Sequence, residues 1–306
     1  LSKLTGAPLV FDFQGSLTSE MIDHNFLKPT SPFFKPLHWL ERRIDHMAHA
    51  VLTSSRHAAR LLRDTYGVPE GRIHPTPDCV NPDAFDPARF DSAHRLTLKR
   101  ALGIPADRQL LVYVGLLTEY QGVGHLLRAL AQLRARRPDV HLLLMGFGEL
   151  HRYVSLAREL GIRDAVTFTG KMPYERLPAH LALGDIAVAP KLSATEGNGK
   201  VLNYMSMALP TVAFPTPVSR EYLGQHGLYA AARTPAALAA ALDRALSMSP
   251  AARADLGHAL RNRILANYTW ANIGRQIEAV YRAVLDGHPQ PAQAVKQAAT
   301  WGKTPT

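Results

Sequence analysis

IAVAPKLSATEGNGKVLNYMSMALPTVAF (residues 186–214) decides how this chain is to be folded. The apolar run IAVA reads as a buried strand that ends at Pro190. A polar loop follows, Gly197 and Gly199 flank Asn198, and a helix is predicted over 199–208. Leu209 and Pro210 close that helix and lead into a second apolar strand, TVAF. Strands that are apolar on both faces, joined by a helix, belong to parallel sheets covered on both sides. Ligands of such sheets bind outside the carboxyl ends of the strands. Glycines at a helix start let backbone N–H groups approach an anion, and the helix dipole adds positive potential there. Glu196 stands at the mouth of this turn and has no reason to be in a core. A carboxylate beside an anion-binding helix start asks for a partner rich in hydroxyls, which a sugar supplies. A tight corner alone explains the glycines, but it leaves Glu196, Lys200 and Asn203 in line unexplained.

The same grammar extends outward in both directions. Strands are predicted at 8–13 (PLVFDF), 50–54 (AVLTS), 110–114 (LLVYV), 141–145 (HLLLM) and 166–169 (VTFT). Helices lie between them, such as 124–136, where Leu126, Leu127, Leu130 and Leu133 make one apolar face. The fold class is therefore α/β, with doubly wound parallel sheets. Residues 75–90 (PTPDCVNPDAFDPARF) are rich in Pro and Asp without a usable period, and read as a linker. The expected organisation is a partial N-terminal domain with linker over 1–88, a donor-binding domain over 89–268, a helix crossing back to the first domain over 269–287, and a disordered tail over 288–306. The opening LSKLTGAPLVFDF reads like a helix end running into a strand, so a truncated first domain is expected.

The bulk numbers narrow the partners. Hydrophobic residues make up 46% of the 306 and charged residues 20%, a soluble globular profile. The net charge of +10 favours anionic partners: nucleotide phosphates, an anionic membrane surface or nucleic acid. No aromatic platform or helix-turn-helix pattern supports nucleic acid, so no nucleic-acid partner is expected. Cys79 is the single cysteine, which excludes an internal disulfide framework and fits a reducing compartment. His24, His38, His46 and His49 are the densest histidines, but they lack a recognisable ligand pattern, and no metal site is expected.

The segment 186–214 resembles the donor site of the retaining GT-B glycosyltransferases, family 4 in particular, and the likeness runs from Pro8 to Tyr281. VYVGLLTEYQGVGHLLRAL and LLLMGFGELHRYVSLARELGIRDAVTFTGKMPYERLP are similar to the family's first units of the second domain, and 78–85 to its linker. The resemblance implies two Rossmann-like domains, the first incomplete here, with a donor held in the cleft between them. It implies transfer of a sugar from a nucleotide-diphosphate donor, the co-substrate, to a saccharide or lipid-linked acceptor with retention of configuration. No cofactor is implied, and the location is the cytoplasm or, peripherally, the inner membrane face.

Carried over by residue, Glu196 would bind donor-sugar hydroxyls, and the amides of Gly197, Asn198 and Gly199 the diphosphate or sugar. Val201 follows in the same helix, and Asn203 stands where the family has a ribose-gripping Glu. In this register Thr195, not Glu196, lies eight residues before Asn203. Gly115 and Gly146 end strands at the donor site. Lys171, Met172 and Tyr174 are similar to the loop that cups the base, and the loop of Asp12 and Gln14 to the one that places acceptor and catalytic groups, so that Asp12 joins Glu196 and Lys200 as a catalytic candidate. His151 breaks the dinucleotide reading of Gly146-Phe147-Gly148. The sharper departure is Leu116 and Gln121, where the family carries the Arg and Lys that neutralise the diphosphate. Three readings stand: Lys200 supplies the charge, the donor is of another kind, or the chain binds without catalysis.

Overall fold

The computed structural model describes residues 7–23, 26–193 and 197–287. Its chain divides into two units: Leu1–Pro77, Thr195–Gly197 and Ala271–Thr306 in one, Asp78–Ala194 and Asn198–Trp270 in the other.

In the first unit, β1 (Val10–Phe13), helix α1 (Leu17–Asp23), helix α2 (Phe34–Asp45), β2 (Ala50–Thr53), α3 (Arg56–Asp64) and β3 (Ile73–Pro75) follow in order. The strands form a parallel sheet in that order. Strand side chains alternate between faces, so β2 must serve two cores. Val51 packs with Phe13, Leu62 and Tyr66 under α3. Ala50 and Leu52 pack on the opposite face against Ile277, Val280 and Val284.

The second unit holds α4 (Ser92–Ala101), β4 (Gln109–Leu117), α5 (Val123–Arg134), β5 (Val140–Gly148), α6 (Leu150–Glu159), β6 (Val166–Gly170), α7 (Leu177–Leu181), β7 (Ile186–Ala189), α8 (Lys200–Ser206), β8 (Thr211–Ala213), α9 (Pro217–Leu223), β9 (Leu228–Tyr229), α10 (Pro235–Ser247) and α11 (Pro250–Asn267). Helix α12 (Trp270–Leu285) then carries Ile277, Val280 and Val284 onto the first unit's sheet. The six strands are parallel in the order β6-β5-β4-β7-β8-β9. The order turns back between β4 and β7, and the crevice above that reversal is where such sheets bind ligands. Both faces are covered. Leu111, Tyr113, Leu142, Leu144, Ile186 and Val188 join the α5 leucines in one core. Leu110, Val112, Leu143, Met145, Ala187 and Ala189 join Val201, Tyr204 and Leu260 in the other. Leu126, Leu127, Leu130 and Leu133 are all fully buried, as their spacing predicts. Each contributes about 1.5–3 kcal/mol relative to exposure.

Two short strands, β3 and β9, go beyond the sequence reading. Ile-His-Pro and Leu-Tyr are too short to carry a period and exist because a neighbouring parallel edge accepts them. Within the stretch read as a linker, Val80 bridges Thr269 and Phe85 is buried, so part of it is packed structure. The expected tail over 288–306 lies outside the described residues.

Helix α2 carries an unusual burial. Glu41 and Asp45 face inward, Glu41 accepting from the Thr18 hydroxyl at 2.5 Å and from its amide at 3.1 Å. Burial, and then the neighbouring Glu41 charge, push the Asp45 carboxyl up to about 7. Its folded-state affinity for a proton exceeds the ordinary carboxylate's, so the stability it allows is full at acid pH and lost as pH rises from about 4 through 7. Asp45→Asn is therefore expected to raise stability by about 1–3 kcal/mol at pH 8 and to change little at pH 4. Thermal unfolding of the two chains across that range checks this, and parallel curves would refute the assignment.

Candidate functional site

The crevice above the β4/β7 reversal is shaped first by backbone. Strands β4 and β5 stay in register along nine residue pairs, which sets Gly115 opposite Gly146 and Leu117 opposite Gly148. A Cβ at Gly146 would collide with the Gly115 carbonyl oxygen. Gly115 has φ +147°, and a Cβ there would lie 2.7 Å from Lys200 Nζ. The glycine gap at the strand end is thus the space that the ammonium occupies.

Lys200 opens α8, and among the described residues Gln121 and Tyr113 orient its head. Its Nζ donates to Gln121 Oε1 at 2.6 Å and to the Tyr113 hydroxyl at 3.2 Å. It also lies 4.6 Å from the Tyr113 ring centroid, within cation–π range. Tyr113 in turn donates its proton to the Leu116 carbonyl at 3.0 Å, and burial holds its hydroxyl well above the usual phenol range. Gln121 is 8% exposed. Of the two departures from the family pattern, Gln121 therefore orients a cation from another element, while Leu116 offers its carbonyl to Tyr113, whose ring faces that cation.

The helix that carries Lys200 is pinned to the same strand. The Val114 amide donates to the Tyr204 hydroxyl at 2.8 Å, and Val201 and Leu202 are fully buried. Ahead of the helix, Asn198 is 3% exposed, and neither its Oδ1 nor its Nδ2 meets a partner among the described residues. A buried amide left so costs about 1–3 kcal/mol, which points to a ligand. Gly199 lies beside Asp78, whose carboxylate also accepts from Tyr222 at 3.4 Å. Gly197 is half-buried at the border of the undescribed residues. Glu196, with Thr195, lies outside the described residues.

Farther along the strand ends, Lys171 Nζ stands 5.5 Å from the Phe147 ring, which is half exposed. Met172 packs on the α8-side core. The Tyr174 ring packs against Phe85 in a tilted geometry at 5.1 Å, and its hydroxyl donates to Asn203 Oδ1 at 3.3 Å. The second unit thus gathers Gly115, Leu116, Gln121, Lys200 and Val201 around β4, and joins Asn203 to Tyr174. Asp12 belongs to the first unit, at the end of β1, where its Oδ1 accepts from the Gln14 amide at 2.6 Å. Of the histidines, His38 stacks between Phe34 and Tyr66, and His46 bonds the Tyr66 carbonyl. His49 accepts from the Leu9 amide, and His24 lies outside the described residues. Sequence reasoning missed Tyr113 and Phe147. The one signal for Tyr113 is a tyrosine inside an otherwise aliphatic strand.

A parallel sheet of this order, with an oriented ammonium and a buried amide that meets no partner among the described residues above its reversal, is the doubly wound α/β arrangement whose ligands bind at that crevice. Comparison with known proteins sharpens this. The sequence profile described as "Glycosyl transferases group 1" matches residues 108–248, and that described as "Glycosyl transferase 4-like domain" matches residues 1–79. The α-D-kanosaminyltransferase of Streptomyces kanamyceticus is 30% identical over 93% of this chain and 72% of its own. The GDP-mannose-dependent α-(1-6)-phosphatidylinositol monomannoside mannosyltransferase of Mycolicibacterium smegmatis is 29% identical over 83% of this chain, which spans 66% of that relative's length. Among solved structures, HepE of Anabaena in complex with UDP and glucose superposes with TM-score 0.79 at 16% identity, over 92% of this chain and 73% of its own. The chain belongs to the GT-B glycosyltransferases of the family 4 type, a class of sugar-transferring enzymes.

The glycine pair gives a direct test of the crevice. Gly146→Ala is expected to cost at least about 2–3 kcal/mol, because the β4 backbone must move. Gly71→Ala, where a Cβ meets nothing within 4 Å, is expected to be close to neutral. Denaturant unfolding of the two variants measures the difference; equal midpoints would show that β4 and β5 do not approach as described.

Proposed function

We propose that the protein transfers a sugar from a nucleotide-diphosphate donor to a saccharide or lipid-linked acceptor, with retention of configuration, and that Lys200 supplies the cation at the donor diphosphate. The observation that carries this reading is the ammonium of Lys200 held by Gln121 and Tyr113 in the Gly115 gap. As the bond from the sugar to the diphosphate breaks, negative charge grows on the leaving oxygen. A positive charge already oriented there stabilises that state without reorganising. The amides of Gly197, Asn198 and Gly199, with the Asn198 side chain, are assigned to phosphate oxygens or sugar hydroxyls, and Glu196 to sugar hydroxyls. Asn203 with Tyr174, and Lys171 with Met172 and Phe147, are assigned to the nucleoside. Asp12 is assigned to the acceptor side. No metal is assigned.

Donors differ among the relatives: one name specifies GDP-mannose, and one structure holds UDP and glucose. The class of donor is therefore proposed and the sugar left open. The non-catalytic alternative is not favoured, since the named relatives are transferases. Among the described residues no helix is long and apolar enough to cross a membrane. For an acceptor carried on lipid, the proposed location is peripheral, at an anionic cytoplasmic membrane face.

Lys200→Ala is expected to lower kcat/KM roughly 10²–10³-fold, with nucleoside diphosphate affinity falling in calorimetry. Placing the charge at the neighbouring position, in Lys200→Ala with Gln121→Lys, is expected to restore part of both. Wild-type turnover in Lys200→Ala would sink the assignment.

A further inference from the structure

Residues 78–86 read from the sequence as part of a linker, yet they lie along the helix that carries Lys200. Gly199, Asn203 and Ser206 recur at helical spacing, so they share one face of α8 and the turn before it. Each meets this segment, directly or through Tyr174. A Cβ at Gly199 would lie 3.4 Å from the Asp78 carboxylate. Asn203 accepts from Tyr174, whose ring packs against Phe85. Ser206 donates its hydroxyl proton to the Phe85 carbonyl at 2.8 Å. The segment is wound on itself, since Asn81 Oδ1 accepts from the Asp83 amide and the Asn81 carbonyl from the Phe85 amide.

One side chain closes this arrangement. Arg261 stands on α11, largely buried, and its Nη1 donates to the carbonyl of Phe85 at 2.8 Å and to that of Ser206. Its Nη2 donates to the Pro82 carbonyl at 3.3 Å and pairs with Asp86 at 3.2 Å. Ser206 is the last residue of α8. Carbonyls there lack partners within the helix and the dipole end is negative, so a planar cation with several donors suits them. Gly257, one turn earlier on α11, permits the approach, because a Cβ there would lie 2.0 Å from the Ala208 carbonyl oxygen. Ala208 itself has φ +52°, a region that favours glycine, so the turn leaving α8 is held by its surroundings.

We propose that Arg261 is a positioning residue for the donor site: by joining residues 82–86 to the carboxyl end of α8, it fixes where Lys200 and Asn203 stand when a nucleoside diphosphate binds. The helix is seven residues long. Its own backbone hydrogen bonds make it stiff over that length, so a shift at Ser206 is a shift at Lys200. The apolar contacts of Val201, Leu202 and Met205 are non-directional and set mainly the distance from the sheet. Position along the helix axis falls to directional bonds, those of Arg261 and Ser206 at one end and that of Tyr204 to Val114 between. A misplacement of about 1 Å is costly in a site that works by orientation. The inference rests on the donor site proposed above and names what holds it in place.

The test is calorimetric titration of the 306-residue chain and its variants with UDP, GDP, ADP and dTDP, well below the unfolding temperature. Arg261→Ala is expected to weaken binding of the nucleotide that the wild type takes at least about tenfold. Ser206→Ala, the milder change from the other side of the same contact, is expected to weaken it about threefold. Arg261→Lys keeps the charge without the fork of donors and is expected to fall between Arg261→Ala and the wild type. Circular dichroism reports whether each fold is kept. Leu242→Ala, a fully buried position of α10, is expected to lower Tm at least as much as Arg261→Ala yet bind like the wild type. Arg261→Ala combined with Lys200→Ala is expected to lose less than the product of the two single losses, since one acts through the helix that carries the other. Arg261→Ala and Ser206→Ala that bind like the wild type, while Lys200→Ala does not, would overturn the positioning role and leave the donor site standing. Equal weakening in Leu242→Ala, or losses that simply multiply, would also overturn it. A wild-type chain that binds none of the four nucleotides would overturn both.

Discussion

The parallel ladder between β4 and β5 is the constraint on which the second unit depends. Its register runs unbroken from Gln109 opposite Val140 to Leu117 opposite Gly148. The ladder brings the Gly115 carbonyl so close to Gly146 that no side chain fits between them. The same ladder sends alternate residues into two separate cores, so every helix of the unit is placed by one or the other. Strand β4 also has β7 on its other edge, which makes its carboxyl end the sheet's point of reversal. Position, backbone room and a helix start therefore coincide at one place.

Helix α8 reaches that place because it is tied down twice. Its buried residues Val201, Leu202 and Met205 anchor it in the core, and Tyr204 takes a hydrogen bond from the Val114 amide. An amide inside an otherwise regular ladder has to find a partner somewhere. Here it finds a side chain from the binding helix instead of a neighbouring strand. Packing and site geometry are consequently not separable, since the bond that satisfies the strand also sets the height of Lys200 above it.

How much of this is legible in the sequence depends on the range of the interaction. The strand–helix alternation, the leucine face of α5 and the turn at 197–200 are local patterns, and the sequence alone yields them. The contact between Lys200 and Gln121 joins residues 79 apart, and no periodicity reports it. Lys200 is suspect from its place at the glycine-flanked helix start and from the two cations of the resembling family that are missing, whereas Tyr113, which contacts it, reads as a core residue. Strands β3 and β9 fail for a different reason. Each is two or three residues long and is stabilised almost wholly by its neighbour. Helix α2 is the hardest case. Glu41 and Asp45 are buried there, and the Thr18 hydroxyl that bonds Glu41 stands 23 positions away, beyond the reach of a local pattern.

The exchange of cations is best understood as a matter of where the charge stands, not which element supplies it. The resemblance implies a lysine at 121, on the loop after β4. In this chain the Lys200 ammonium already lies 2.6 Å from the side-chain oxygen at that position. A second ammonium there would put two like charges in contact within a largely buried pocket, where their repulsion is least screened. With Lys200 in place, position 121 needs an uncharged acceptor of about the same reach, and Gln meets both requirements. Glutamate would accept as well, but its charge would cancel that of the Lys200 ammonium. Gln121 and Lys200 are thus joined in one arrangement, and an uncharged acceptor at 121 is compatible with the ammonium beside it.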